Sequence, residues 1–231
     1  MNIENKKQER AIVYIDGFNL YFGLRASVIR REKSKKLSKR CYWLDLQKVA
    51  QQLVQDRELI AVKYFTARIK GNDEKRKRQK TFLEAIQQCC DKLTIYEGRY
   101  LLREMMCHSC RKVTTEIQCP QCKFINHLPE EKKSDVNIAS QMLKDAYEKN
   151  FDVAYLISGD SDLVPPIEII QGMITPKKVI VVFPPFRHTK ELADNADIAL
   201  DLFPRIIKKS LLPDEVTKAD GIILRIPERW Q

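Results

Sequence analysis

The apolar positions of this chain fall into short unbroken runs, separated by longer stretches in which apolar residues recur at helical spacing. The runs are AIVYI (11–15), LIAVKYFTA (59–67), LTIYEGRYL (93–101), VAYLI (153–157) and KVIVVF (178–183). A strand covered by helices on both sides needs apolar side chains on both of its faces. Runs without alternating polarity therefore predict buried, parallel strands. Between them, FNLYFGLRAS opens a helix just after residue 16, and LDLQKVAQQLVQ (44–55) sets Leu44, Val49, Leu53 and Val54 at spacings of an amphipathic helix. Further helices are predicted over 72–93, with acids near the start, over 133–150, and over 165–173, whose prolines suit a first turn. The stretch 189–203 reads as a last helix or helix pair, 28–41 as a loop, and the tail LLPDEVTKADGIILRIPERW as a short edge hairpin. Alternating strands and helices predict an α/β fold, a three-layer α/β/α sandwich with a mostly parallel sheet.

Composition narrows the class. With 231 residues, 44% hydrophobic and 31% charged, the chain can bury a sizeable core and lacks the bias of a disordered one. One α/β domain over 10–103 and 129–210 is expected, interrupted by a cysteine-rich insertion at 104–128 and followed by an extension at 211–231. No apolar run approaches a membrane span and the start MNIENKKQER is polar, so a soluble, cytoplasmic protein is expected. The net charge of +10 favours polyanionic partners. It is concentrated in two segments. Arg30, Arg31, Lys33, Lys35, Lys36, Lys39 and Arg40 share 30–40 with a single acid, and Lys75, Arg76 and Arg78 lie within RIKGNDEKRKRQK (68–80). Both are candidates for nucleic-acid contact; a solvated loop or helix face would look the same.

In a parallel sheet, ligand sites lie beyond the carboxyl ends of the strands. Two of the predicted strands end there on acids: VYIDGFN supplies Asp16, and YLISGDSD supplies Asp160 and Asp162. Asp135, in KKSDVN, stands at a predicted helix start. Singly, these acids suit plainer roles, Asp16 in a turn and Asp135 or Asp162 as helix caps. If the two strands are neighbours, up to four carboxylates converge on one edge. Such a cluster repels itself without a cation, and its hard oxygens suit Mg²⁺ or Mn²⁺, which can activate water and neutralise charge on a phosphodiester.

Taken in order, YIDGFNLYFG, KKSDVNIASQML and DVAYLISGDSDLVPPI resemble the NYN domain of the PIN-like nuclease superfamily, in its LabA-like branch. The likeness runs over roughly residues 10–230 apart from the insertion. It implies a divalent-metal-dependent endoribonuclease, hence RNA more than DNA as partner. It implies metal coordination by Asp16, Asp135, Asp160 and Asp162, with Asn19 and Ser158 lining the site. The chain departs from the pattern at Gln141, where the family often has a further acid. A non-catalytic nucleic-acid-binding protein that keeps the fold is the alternative this departure raises.

The insertion carries its own chemistry. CHSCRKVTTEIQCPQC provides Cys107, Cys110, Cys119 and Cys122 as two CxxC pairs, a spacing that closes a tetrahedral Zn²⁺ site with no open position, so a structural one. Two disulfides are disfavoured in a reducing cytoplasm. His108 and His127 lie close by but four cysteines suffice. Among the seven glycines no GxGxxG or GxxxxGK[ST] occurs, so neither a dinucleotide fingerprint nor a P-loop is supported.

Overall fold

A computed structural model describes residues 8–30, 36–69, 73–98, 105–114, 119–124 and 134–231. Among the predicted nucleic-acid contacts, Arg31, Lys33 and Lys35 lie outside the described residues, as does His127. The chain runs β1 (Arg10–Asp16), α1 (Gly17–Ile29), α2 (Leu46–Val54), β2 (Glu58–Ala67), α3 (Asp73–Cys89) and β3 (Leu93–Gly98). The insertion contributes β4 (Met105–Met106) and β5 (Val113–Thr114). Then follow α4 (Ser134–Tyr147), β6 (Val153–Ile157), α5 (Val164–Gln171), β7 (Lys178–Phe183), α6 (Lys190–Asn195), β8 (Ile198–Asp201), α7 (Pro204–Lys209), β9 (Glu215–Thr217) and β10 (Ile223–Arg225).

The main sheet has six strands in the order β3-β2-β1-β6-β7-β8, all parallel. Its two faces are covered separately, as the unbroken apolar runs require. Ala11, Val13 and Ile15 of β1 point into a core with Leu20 and Leu24 of α1, Val49 and Leu53 of α2 and Leu83 and Ile86 of α3. Ile12 and Tyr14, their neighbours in sequence, enter a second core with Ile138 and Met142 of α4, Ile167 of α5 and Leu192 of α6. Strand order reverses between β1 and β6, so the carboxyl ends of these two central strands flank the switch point at which α/β sheets open a crevice.

Two local predictions need correction. Residues 189–203 do not form a helix or helix pair: α6 ends at Asn195 and Ile198–Asp201 is an edge strand on β7. Its four residues, IALD, are all exposed, and so short an apolar run does not distinguish a strand from a helical turn. Backbone bonds decide it, from Asp197 N to Val179 O (3.0 Å) and from Leu202 N to Phe183 O (2.8 Å). The tail does form a hairpin, β9 with β10, but as a separate two-stranded sheet rather than at the edge of the main one. It packs on α3, with Val216, Leu224 and Ile226 in the first core and Trp43 Nε1 donating to Pro213 O at 2.7 Å. No helix among the described residues is long and apolar enough to cross a membrane.

Candidate functional site

Asp16 is the last residue of β1 and the N-cap of α1. Its carboxylate is buried and held from four directions. Oδ1 accepts from the backbone N–H of Phe18 (3.1 Å) and Asn19 (3.0 Å); Oδ2 accepts from Asn19 Nδ2 (2.7 Å) and Ser158 Oγ (2.8 Å). Ser158 follows β6 directly, level with Asp16 because Ile15 pairs with Ile157. Its hydroxyl also accepts from Asp160 N at 3.1 Å, which ties the two strand ends together. Gly17 owes its place to crowding: a Cβ there would stand 2.6 Å from Phe65 O on β2. The glycine is a point of close approach as much as a turn.

Asp160 caps the short turn Ser161–Leu163, with Oδ1 accepting from Asp162 N at 3.1 Å. Asp135 lies in the first turn of α4, which packs over β1, β2 and β3. Together Asp16, Asp135 and Asp160 offer carboxylate oxygens that all lie within 4.8 Å of one another. Magnesium ligands stand about 2.1 Å from the ion, hence roughly 3–4 Å apart, so small side-chain adjustments bring this trio around one hard cation. Asp162 is exposed and outside the trio, although its charge is felt at Asp135.

The electrostatics are those of an uncompensated cluster. Among the described residues none of the three acids forms an ion pair. Burial first, then the charges of Asp160, Asp16 and Asp162, push the Asp135 carboxyl up to about 6. Burial also raises that of Asp16, against the hydrogen bonds that favour its charged form.

Gln141 has a different occupation. Its amide oxygen accepts from Lys63 Nζ (3.0 Å) and Tyr96 Oη (3.0 Å). The same Lys63 ammonium pairs with buried Asp145 at 2.6 Å, and Tyr14 Oη donates to that carboxylate, also at 2.6 Å. The amide therefore belongs to a buried polar network under α4.

The four cysteines do converge. Their sulfurs lie within 4.8 Å of one another, with Cys107 to Cys122 and Cys110 to Cys119 at 3.5 Å. A disulfide needs about 2.05 Å, whereas thiolates around a tetrahedral zinc stand about 3.8 Å apart. The two knuckles share one backbone plan. Cys107 N donates to Lys112 O and Cys119 N to Phe124 O, and the residue after each second cysteine, Arg111 or Lys123, is left-handed, with φ 58° and 59°. Backbone N–H groups from Cys110 and Ser109 lower the Cys107 thiol to about 6, and those from Cys122 and Gln121 lower Cys119, whereas Cys110 is pushed up to about 11 by burial and its neighbouring sulfurs. The insertion can hold a metal ion.

Three of the predicted basic contacts are engaged with acids. Arg40 pairs with Asp214, Arg76 with Asp73 (2.9 Å) and Arg78 with Glu74 (3.5 Å). Lys36, Lys39 and Lys75 are exposed. Arg30 lies near the strand ends, with its guanidinium 4.6 Å from the centre of the Phe186 ring. Sequence reasoning missed that β7–α6 loop. A cavity of about 390 Å³ opens between Asn19, Gly159, Asp160 and Ser161 on one side and Phe186, Arg187, His188 and Thr189 on the other. FPPFRHTK carries no recognisable motif; only the packing brings it to Asp160.

Comparison with known proteins bears on the family and the fold. The family profile of the NYN domain matches residues 10–203. A protein named 6-hydroxy-3-succinoylpyridine 3-monooxygenase HspA, from Pseudomonas putida (strain DSM 28022 / S16), is 26% identical over 236 residues, covering 86% of this chain and 71% of its own. The crystal structure of a protein of unknown function from Vibrio parahaemolyticus RIMD 2210633 superposes with a TM-score of 0.55 at 19% identity, over 91% of this chain and 100% of that one. At such identity the second likeness is one of fold.

Proposed function

The chain belongs to the NYN domain family, and from that premise we propose that it is a divalent-metal-dependent endoribonuclease. The observation that carries the reading is the trio Asp16, Asp135 and Asp160, set at the switch point of the sheet without a compensating cation among the described residues. A bound Mg²⁺ or Mn²⁺ supplies an activated water and neutralises charge on the scissile phosphate. The residues do the rest. Asp16, its Oδ2 held by Asn19 Nδ2 and Ser158 Oγ, would present a positioned carboxylate to such an ion. Asp135 and Asp160 close the oxygen set from α4 and from the end of β6. Asp162, in reach of the trio by charge, would add to its attraction for a cation. Zinc fills the Cys107, Cys110, Cys119 and Cys122 cluster in a structural role, and reduced thiols there fit a cytoplasmic protein.

The test is cleavage of single-stranded and structured RNA and DNA in Mg²⁺ or Mn²⁺ against EDTA, with wild type beside Asp160→Asn. RNA cleavage that needs the metal and vanishes in the variant is the expected result; undiminished cleavage by Asp160→Asn sinks the assignment. Binding without cleavage in any divalent metal would instead favour a non-catalytic RNA-binding protein.

The name of the Pseudomonas relative gives a second reading, oxygenation of a heteroaromatic ring in the Phe186–Asp160 cavity. Incubation with a hydroxylated pyridine, a reduced nicotinamide and air, followed by product mass, distinguishes it.

A further inference from the structure

We infer that the β7–α6 loop and the outer face of α1 form a track for single-stranded nucleic acid, in which Arg187 anchors a phosphate beside the acid trio and Tyr21 and Phe22 stack the adjoining bases. The inference rests on the ribonuclease reading for the kind of polymer and goes beyond it in specifying the strand.

Three observations combine. The first is the state of Arg187. It lines the cavity that contains Asn19 and Asp160. Its guanidinium lies 5.6 Å from the centre of the Phe22 ring, its Nε is buried without a hydrogen-bond partner, and it forms no ion pair with a described carboxylate. Elsewhere in the molecule buried or half-buried guanidiniums are matched to acids, as Arg10 is to Asp152 and Arg57 to Glu9. A guanidinium that shares a cavity with Asp160, pairs with no described carboxylate and keeps an unsatisfied Nε can take a phosphate diester as its acceptor.

The second is how firmly that loop is seated. A Cβ on Gly159 would stand 1.9 Å from Arg187 O, and one on Gly23 would stand 2.7 Å from Pro184. Thr189 Oγ1 donates to Gly159 O at 3.2 Å, and Arg187 N donates to Pro184 O at 3.0 Å. The arginine is thus delivered by a fixed backbone, at a set place relative to Asp160.

The third is the aromatic surface that continues from the cavity. Tyr21 and Phe22 are 42% and 41% exposed on α1, five and six residues beyond Asp16, with ring centres 5.5 Å apart. Arg187 covers Phe22, and Arg30 covers Phe186 at 4.6 Å. Aromatic rings interleaved with guanidiniums, on a chain of net charge +10, match the way single strands are held: bases stack on rings while cations take the backbone. A duplex cannot use such a surface, because its base faces are already stacked inside.

The experiment is fluorescence anisotropy in EDTA, with labelled oligouridine and a blunt RNA duplex of equal length, over a range of salt. Wild type is expected to bind oligouridine at least tenfold more tightly than duplex. Phe22→Ala and Tyr21→Ala should each weaken oligouridine binding roughly tenfold and leave duplex binding unchanged. Arg187→Gln should weaken it and reduce the salt slope by about one. Phe22→Trp should retain affinity, which a merely structural phenylalanine would not require, and thermal melts check that each variant is folded. Equal binding of single strand and duplex, unchanged affinity in Phe22→Ala and Arg187→Gln, or no binding of either strand overturns the track. The two readings fail separately. RNA cleavage abolished by Asp160→Asn but unaffected at Phe22 and Arg187 keeps the nuclease and removes the track. Stacking-dependent binding by a protein that never cleaves RNA does the reverse.

Discussion

Neutralising Asp135 should stabilise the metal-free protein. Its carboxyl is raised from 3.8 to about 6 by burial and by the charges of Asp160, Asp16 and Asp162. A shift of about two units corresponds to roughly 3 kcal/mol at 1.36 kcal/mol per unit. Asp135 is only half-buried, so solvent screening reduces this to about 1.5 kcal/mol. The positive end of α4 favours a carboxylate in its first turn by about 0.5 kcal/mol, which the variant loses. Asp135→Asn should therefore gain about 1 kcal/mol, or about 3 °C in Tm for a chain of this size. The sign follows from linkage. Below 3.8 the residue is protonated in both states and contributes nothing; between 3.8 and 6 the unfolded chain ionises first, so wild type loses stability as pH rises. The gain should thus be present at pH 7.5 in EDTA and absent near pH 3.5. Thermal melts of both proteins across that range measure it. Adding Mn²⁺ at pH 7.5 should raise the Tm of wild type and do little for Asp135→Asn, reversing their order. A variant no more stable than wild type in EDTA at pH 7.5, or a gain independent of pH, refutes the picture of a self-repelling cluster.

Other outcomes follow from the same geometry. Lys63→Met strands the Asp145 carboxylate, which is 4% exposed and left with Tyr14 and Asn150 as donors, and should cost about 3 kcal/mol in urea unfolding. Asp145→Asn added to that variant should recover part of the loss. Gly159→Ala forces a Cβ to within 1.9 Å of Arg187 O, so the loop must shift; RNA cleavage should fall at least tenfold, with about 2 kcal/mol lost in stability. Treatment with a thiol-reactive mercurial and a zinc-sensitive dye should release one zinc per chain from wild type and none from Cys119→Ser.

Much of the fold was legible because a strand buried on both faces shows as an unbroken apolar run. Ala11–Ile15, Val153–Ile157 and Lys178–Phe183 all declare themselves so, and all lie in the sheet. β8 did not, because its short apolar run IALD reads equally as a helical turn, and only backbone pairing with β7 decides it. Gln141 shows the same limit at the level of one residue. By sequence it is a lost acid; in the structure its amide oxygen serves Lys63 and Tyr96, contacts made across two other strands.

The candidate site divides along the same line. Asp16, Asp135, Asp160 and the paired CxxC motifs are chemistry written in residue type and short spacing, and the sequence alone marked them as groups that could hold a cation. Tertiary structure decided which acids meet. The strand order puts the ends of β1 and β6 side by side, α4 lays Asp135 over them, and Asp162 is left outside the trio. It also decided that a loop without any motif, 184–189, faces Asp160 through two glycines too small to keep it away. Spacing along a chain fixes only what neighbouring residues can do together. Contacts between residues more than a hundred positions apart, such as Ser158 with Asp16, are set by how the layers pack.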